Sequence, residues 1–118
     1  MLVFRTLLTM IKINVDEGYA FDFLSILKVK RNANQDINEP YNDCRNNLIC
    51  QLGYKVFREI EDSIEYQKLV EINQLIFETI DKLKKEKVSA AYVDSLNYKR
   101  FIQKQEIQKK FFNKKQSE

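Results

Sequence analysis

Two glycines and one proline in 118 residues leave this chain few places to turn, which weighs against a many-stranded sheet and favours a few long helices. Hydrophobic residues at 44% and charged residues at 31% suffice to close a core at this length. One mainly all-α domain is expected, over residues 10–113, with no room for a second, regulatory domain.

Hydropathy patterning divides that domain. Ile11, Ile13 and Val15 alternate with Lys12 and Asn14, a period of two that predicts one short N-terminal β-strand. Met10 opens the patterned sequence, so residues 1–9 are expected to be an upstream extension. They are too short for a signal peptide and lack its small-residue cleavage site. No run of about 18 apolar residues occurs, so no membrane span is expected and the predicted location is the cytoplasm.

Asp16 is the expected N-cap of a helix over Tyr19–Lys30, apolar on nearly every side and therefore expected to be buried all round. Its narrow polar strip is Asp22, Ser25 and Lys28. Residues 31–42, polar and containing Pro40, read as the main loop. A second helix over Asp43–Glu61 repeats Cys44, Leu48, Leu52, Val56 and Ile60 every fourth position, with Gly53 beside that row as a candidate close crossing. Asp62-Ser63-Ile64-Glu65 has the spacing of a capping box. The third helix then runs to Lys87 on a seam of Leu69, Ile72, Ile76, Ile80 and Leu83, flanked by a strip of Asn73, Phe77 and Asp81. Ser89 caps the last helix, which reaches Phe112 before a frayed basic tail, 114–118. Short connections imply antiparallel neighbours, hence a four-helix bundle or a helical hairpin around a buried first helix, able to form a homo-oligomer.

Little of the usual catalytic chemistry is on offer. Histidine is absent, and Cys44 and Cys50 do not complete a zinc spacing, so both are expected to be reduced core residues. Gly18 and Gly53 are isolated and form no phosphate-cradling loop. Glu61-Asp62-x-x-Glu65 followed by Glu78-x-x-Asp81 resembles, in spacing alone, the magnesium-binding carboxylates of all-α nucleotide pyrophosphatases of the MazG type. On that alternative Glu78 and Asp81 are the metal candidates, though a capping box accounts for Asp62 and Glu65 more cheaply. No cofactor is otherwise expected, and the balance leans away from an enzyme.

The last helix carries the main functional clue. Taking about 100° per residue, Val93, Leu96, Phe101, Ile107, Phe111 and Phe112 share an arc of roughly 160°, and Asn97, Arg100, Lys104 and Gln108 fall inside it. Charges within an apolar arc need partners. Complementary groups stand at Asp22, Ser25 and Lys28 on the first helix and at Asn73 and Asp81 on the third. Such groups fix helix register as an internal network, or they line a pocket for an anionic, phosphate-containing metabolite with Arg100 as fork donor and Lys104 as point charge. Seven basic residues and one acidic one between 99 and 115, interleaved with phenylalanines, also fit nucleic-acid contact. A net charge of +3 does not call for a polyanion, and a solvated face with a frayed tail is the plainer account.

Three runs carry a resemblance: Gly18-x-x-x-Asp22-x-x-Ser25-Ile26-Leu27-x-Val29-Lys30, Ile72-Asn73-x-x-Ile76-Phe77-Glu78-x-x-Asp81, and Asn97-x-x-Arg100-x-x-x-Lys104-x-x-Ile107. Over residues 14–108 the chain resembles a family of small helical proteins of unknown function, found in bacterial polysaccharide gene neighbourhoods and in phages. Phe77 stands where that family commonly has tryptophan, and Tyr98 where it has aspartate. The resemblance implies a helical fold and a set of positions rather than a reaction, and a host-cytoplasmic location if phage-encoded. The expected function is a helical binding or interaction module built around Asp22, Lys28, Lys30, Asn73, Asp81, Asn97, Arg100 and Lys104. The alternatives are a small enzyme or binding protein for a phosphate-containing metabolite and a nucleic-acid-binding accessory protein.

Overall fold

The computed structural model describes residues 14–83 and 88–112, with Asp81 and Leu83 described by their backbone alone. Among the described residues five helices follow one another: α1 (Glu17–Asn32), α2 (Asn38–Leu52), α3 (Tyr54–Glu61), α4 (Ile64–Leu83) and α5 (Ala90–Phe111). No strand occurs among them. Asn14 to Asp16 lead directly into α1, while Ile11 and Ile13 of the expected strand, like residues 1–9 and the tail 114–118, lie outside the described residues. A lone strand has no ladder to complete.

Local chemistry sets the helix ends. The Asp16 carboxylate accepts the Tyr19 N–H at 2.8 Å and starts α1. At the other end Asn34 takes a left-handed conformation (φ 65°), and the N–H groups of Asn34 and Gln35 donate to the carbonyls of Arg31 and Lys30. That is a Schellman closure with asparagine in the glycine position. It carries α1 past Lys30 and shrinks the expected loop of 31–42 to 33–37. Pro40 falls in the first turn of α2, where its missing N–H forfeits no intrahelical bond.

Gly53 ends the expected continuous helix over 43–61. At φ 86° and ψ 149° it turns a corner, and a Cβ there would meet nothing within 4 Å, so it permits no close crossing. The corner resets the helical phase: Phe57 and Ile60 turn inward while Val56 is left 40% exposed. The close crossing is at Gly18, whose Cβ would lie 2.7 Å from the Lys104 carbonyl oxygen.

At the start of α4 the cap is Ser63, not Asp62. Its Oγ accepts the Tyr66 N–H and donates to the Ile60 carbonyl, so Glu65 takes no part in a capping box. The buried side of α4 runs through Tyr66, Leu69, Asn73 and Thr79, whereas Ile80, expected in the seam, is half exposed. Inward is set by where α1 and α5 meet α4, and they meet it at Asn73. Ser89 caps α5 as expected, accepting the Tyr92 N–H at 3.1 Å.

Helices α1, α4 and α5 contact one another, and α2 and α3 close the remaining side. Gly18 lies by Gln108 and Asp22 by Arg100, so α5 runs antiparallel to α1; Lys110 by Glu65 makes it antiparallel to α4 as well. Phe21 stacks on Phe57 and meets Tyr66 edge-on, both at 5.8 Å between centroids. Leu24, Leu48, Ile60, Leu69 and Ile107 complete the core around them. Burying each such side chain contributes about 1.5–3 kcal/mol. The first helix is not buried all round, since Tyr19 and Phe23 on its outer side are half exposed. Cys44 packs against the core, but Cys50, two residues beyond inward-facing Leu48, is exposed. No described helix is long and apolar enough to cross a membrane.

Candidate functional site

Where α1, α4 and α5 converge, four polar side chains are joined. Asn73 donates one Nδ2 proton to Asp22 Oδ1 at 3.0 Å and the other to Ser25 Oγ at 2.6 Å. Ser25, one turn after Asp22 on the same face, passes its own proton to the Asp22 main-chain carbonyl at 2.7 Å. Arg100 Nε donates to the second carboxylate oxygen, Oδ2, at 3.1 Å. The amide orientation of Asn73 follows from these partners, because a flip would set its oxygen against a carboxylate. Asp22 is 2% exposed and bonded at both oxygens, whereas the Arg100 side chain keeps 30% of its surface open. Polar atoms withdrawn from water on three helices are thereby satisfied by one another.

Of the remaining expected members, Lys28, Asn97 and Lys104 stand outside this network. Asn97 is exposed, and Lys104 sits 5.2 Å from the Tyr19 ring centroid, on the flank where α5 crosses the start of α1. α1 and α4 cover only part of the arc that held them, and Phe101 on the same side as Asn97 is exposed too. Lys28 is half-buried and joins no hydrogen bond of the network, and the Asp81 side chain lies outside the description. Gln108, the fourth polar residue of the arc, is engaged: its Oε1 accepts the Gly18 N–H at 2.7 Å and its Nε2 donates to Glu17 at 2.9 Å. An unsatisfied amide of the α1 N-terminus is closed by a side chain 90 residues away.

Beside the network a cleft of about 200 Å³ opens between α1 and α4. Ile26, Val29, Ile76, Phe77 and Ile80 form its apolar wall, and Lys30, Asn73 and Arg100 complete the lining. The cation that shares the cleft lining with Arg100 is therefore Lys30, two residues beyond Lys28 of the polar strip, and not Lys104. A fixed guanidinium and an ammonium at one apolar cleft suit recognition of a small anion.

The acidic residues of the pyrophosphatase-like spacing are dispersed. Glu61 is gripped by Arg45, with Nε to Oε2 at 3.1 Å and Nη2 to Oε1 at 3.2 Å, and by Arg58 at 3.0 Å. Asp62 pairs with Arg58 at 3.2 Å. Glu65 pairs with Lys110, and its own backbone N–H, followed by that lysine, holds its carboxyl below the usual range. Glu78 is exposed and accepts from Gln74. Among the described residues no group of three or more metal-ligating side chains comes together. The turn at 62–63 puts Glu61 at the end of α3 and Glu65 on α4, so the spacing of one continuous helix does not apply to the first three carboxylates.

Burial also acts on two further groups, Cys44, expected in the core, and Tyr66, which no pattern singled out. Burial pushes the Cys44 thiol up to about 11, which leaves it mostly protonated and a poor nucleophile. Burial likewise raises the Tyr66 phenol, whose hydroxyl has no hydrogen-bond partner among the described residues. Of the aromatics expected to interleave with lysines for base stacking, Phe111 and Phe112 pack against the core and only Phe101 stands open. Compared with protein-family models, with curated proteins and with solved structures, the chain matches none.

Proposed function

We propose that this protein is a helical binding module of the cytoplasm, whose site is the cleft between α1 and α4 with Arg100 fixed at its edge. The observation that carries the proposal is the split role of Arg100: its Nε is held by buried Asp22 while the same side chain lines a cleft walled mainly by aliphatic groups. A cation positioned before a ligand arrives loses little freedom on binding. Binding without catalysis is favoured because Asp22, bonded to the cleft-lining Asn73 and Arg100, has both oxygens committed and little contact with water.

Asp22, Ser25 and Asn73 serve on this proposal as an internal lock that sets the register of three helices, a helical hairpin of α4 and α5 enclosing one side of α1. That Asp22, Asn73 and Arg100 are also positions of the resemblance supports kinship with the small helical family of polysaccharide loci and phages. A homodimer is part of the same proposal. Half-exposed Val15, Tyr19, Phe23 and Phe101 offer it an apolar surface.

The test is chemical extraction of the protein purified from its own host, followed by mass spectrometry, with wild type compared to Ile80→Trp. Ile80 is half exposed at the cleft, so a larger side chain there fills the cleft without entering the core. A small molecule present in stoichiometric amount in wild type and lost from the variant is expected. An empty wild type, or magnesium-dependent pyrophosphate release that Glu78→Gln abolishes, would overturn the proposal.

A further inference from the structure

We infer that the cleft takes a small monocarboxylate with an apolar body, either aromatic or a short alkyl chain, its head group paired with Arg100 and Lys30. This rests on the binding proposal above and adds the ligand's chemical class.

Size sets the first limit. An apolar cavity of about 150 Å³ accommodates benzene, so a cleft of about 200 Å³ takes one ring or a short chain with a single head group. Nucleotides exceed it. The wall is the second limit: Ile26, Val29, Ile76, Phe77 and Ile80 offer no side-chain donor or acceptor, so the ligand body must be apolar.

Charge and donor geometry choose the head group. Lys30 and Arg100 are two cations, and Asp22 behind the guanidinium offsets one, leaving a single net positive charge among the described residues of the site. A carboxylate monoanion balances it. Among the described residues Arg100 makes one hydrogen bond, from Nε, so its Nη groups remain for a ligand, and their side-by-side fork matches two carboxylate oxygens. Phosphate dianion fits less well, because both Nδ2 protons of Asn73 are already donated to Asp22 and Ser25 and cannot serve further oxygens.

The experiment is a titration of the isoleucine-methyl-labelled full chain with benzoate, hexanoate and octanoate, with hexylamine and inorganic phosphate as comparison probes. Saturable shifts are expected at the Ile26, Ile76 and Ile80 methyls with at least one carboxylate, and not with hexylamine or phosphate. Lys30→Met, a change at a half-buried position outside the network, should fold normally and weaken that carboxylate about tenfold. Phosphate binding more tightly at the same methyls, or no saturable shift with any carboxylate at millimolar concentration, would overturn the inference. If the carboxylates fail while host-purified protein still carries a molecule that Ile80→Trp loses, the ligand class is wrong and the binding proposal stands. If that molecule is also missing, both fall.

Discussion

Removing the Arg100 guanidinium should expose how much of this fold depends on one ion pair. Arg100→Met keeps most of the aliphatic stem but takes from Asp22 its only cation among the described residues; Asp22 is 2% exposed and would retain Asn73 as its side-chain donor. Breaking a buried pair from one side costs about 3–5 kcal/mol, because the remaining charge is stranded. The open third of the Arg100 side chain admits water to the vacated space, which places the cost near the low end, about 3 kcal/mol. At about 4 °C per kcal/mol for a domain of this size, the melting temperature should fall by roughly 12 °C. Asp22→Asn keeps the shape and leaves Arg100 partly solvated, so it should cost less, about 1–2 kcal/mol. In the double variant no charge is stranded, and its total cost should undercut the sum of the single costs by about 1–2 kcal/mol. Urea unfolding followed by circular dichroism measures all four proteins, with an unchanged m-value as the condition for comparing them. Additivity within about 0.5 kcal/mol, or a cost for Arg100→Met below that figure, would refute the assignment of this pair as coupled and buried.

Other consequences follow from single positions. Gly18→Ala drives a methyl against the Lys104 carbonyl, a backbone atom that moves only with α5, and should cost about 1–3 kcal/mol in urea unfolding. Gly53→Ala meets no neighbour and should cost about 2–3 kcal/mol, from a backbone conformation that glycine alone adopts freely. Tyr66→Phe removes a buried hydroxyl that has no partner among the described residues and should raise stability by about 1 kcal/mol, where a loss would reveal a partner outside them. At pH 8 an alkylating reagent should modify exposed Cys50 readily. Cys44 should lag an ordinary thiol about 100-fold, since a pKa near 11 in place of 9.0 lowers its thiolate fraction by that factor. The raised value also has a sign in stability. A group that holds its proton more tightly when folded stabilises fully below pH 9 and ceases to as pH rises through 11, so Cys44→Ala should flatten that alkaline loss.

The convergence of Asp22, Asn73 and Arg100 was legible because each stands among apolar residues at helical spacing, where an unpaired polar group is costly. Helix caps at Asp16 and Ser89 were legible for a local reason: cap and acceptor are three residues apart. Asn97 and Lys104 misled because a helical arc fixes angle, not which part of the arc a neighbour covers. The close crossing expected at Gly53 falls at Gly18 instead, since close approach is a property of two helices and not of the glycine. Glu61 was unreadable in its own segment: Arg45 comes from beyond the Gly53 corner, and only that corner brings the pair together. Lys30 was named as a member of the cluster, yet its place in the cleft lining with Arg100 was not legible, because it lies off the strip of Asp22, Ser25 and Lys28.

The most direct test of the central claim is nuclear magnetic resonance of the Asn73 side-chain amide and the Arg100 Nε–H. If the three helices are locked through Asp22, both groups exchange slowly with solvent, and the Asn73 amide protons show contacts to the β-protons of Asp22 and Ser25. Both groups exchanging as fast as in an unfolded peptide, with those contacts missing, would contradict the account.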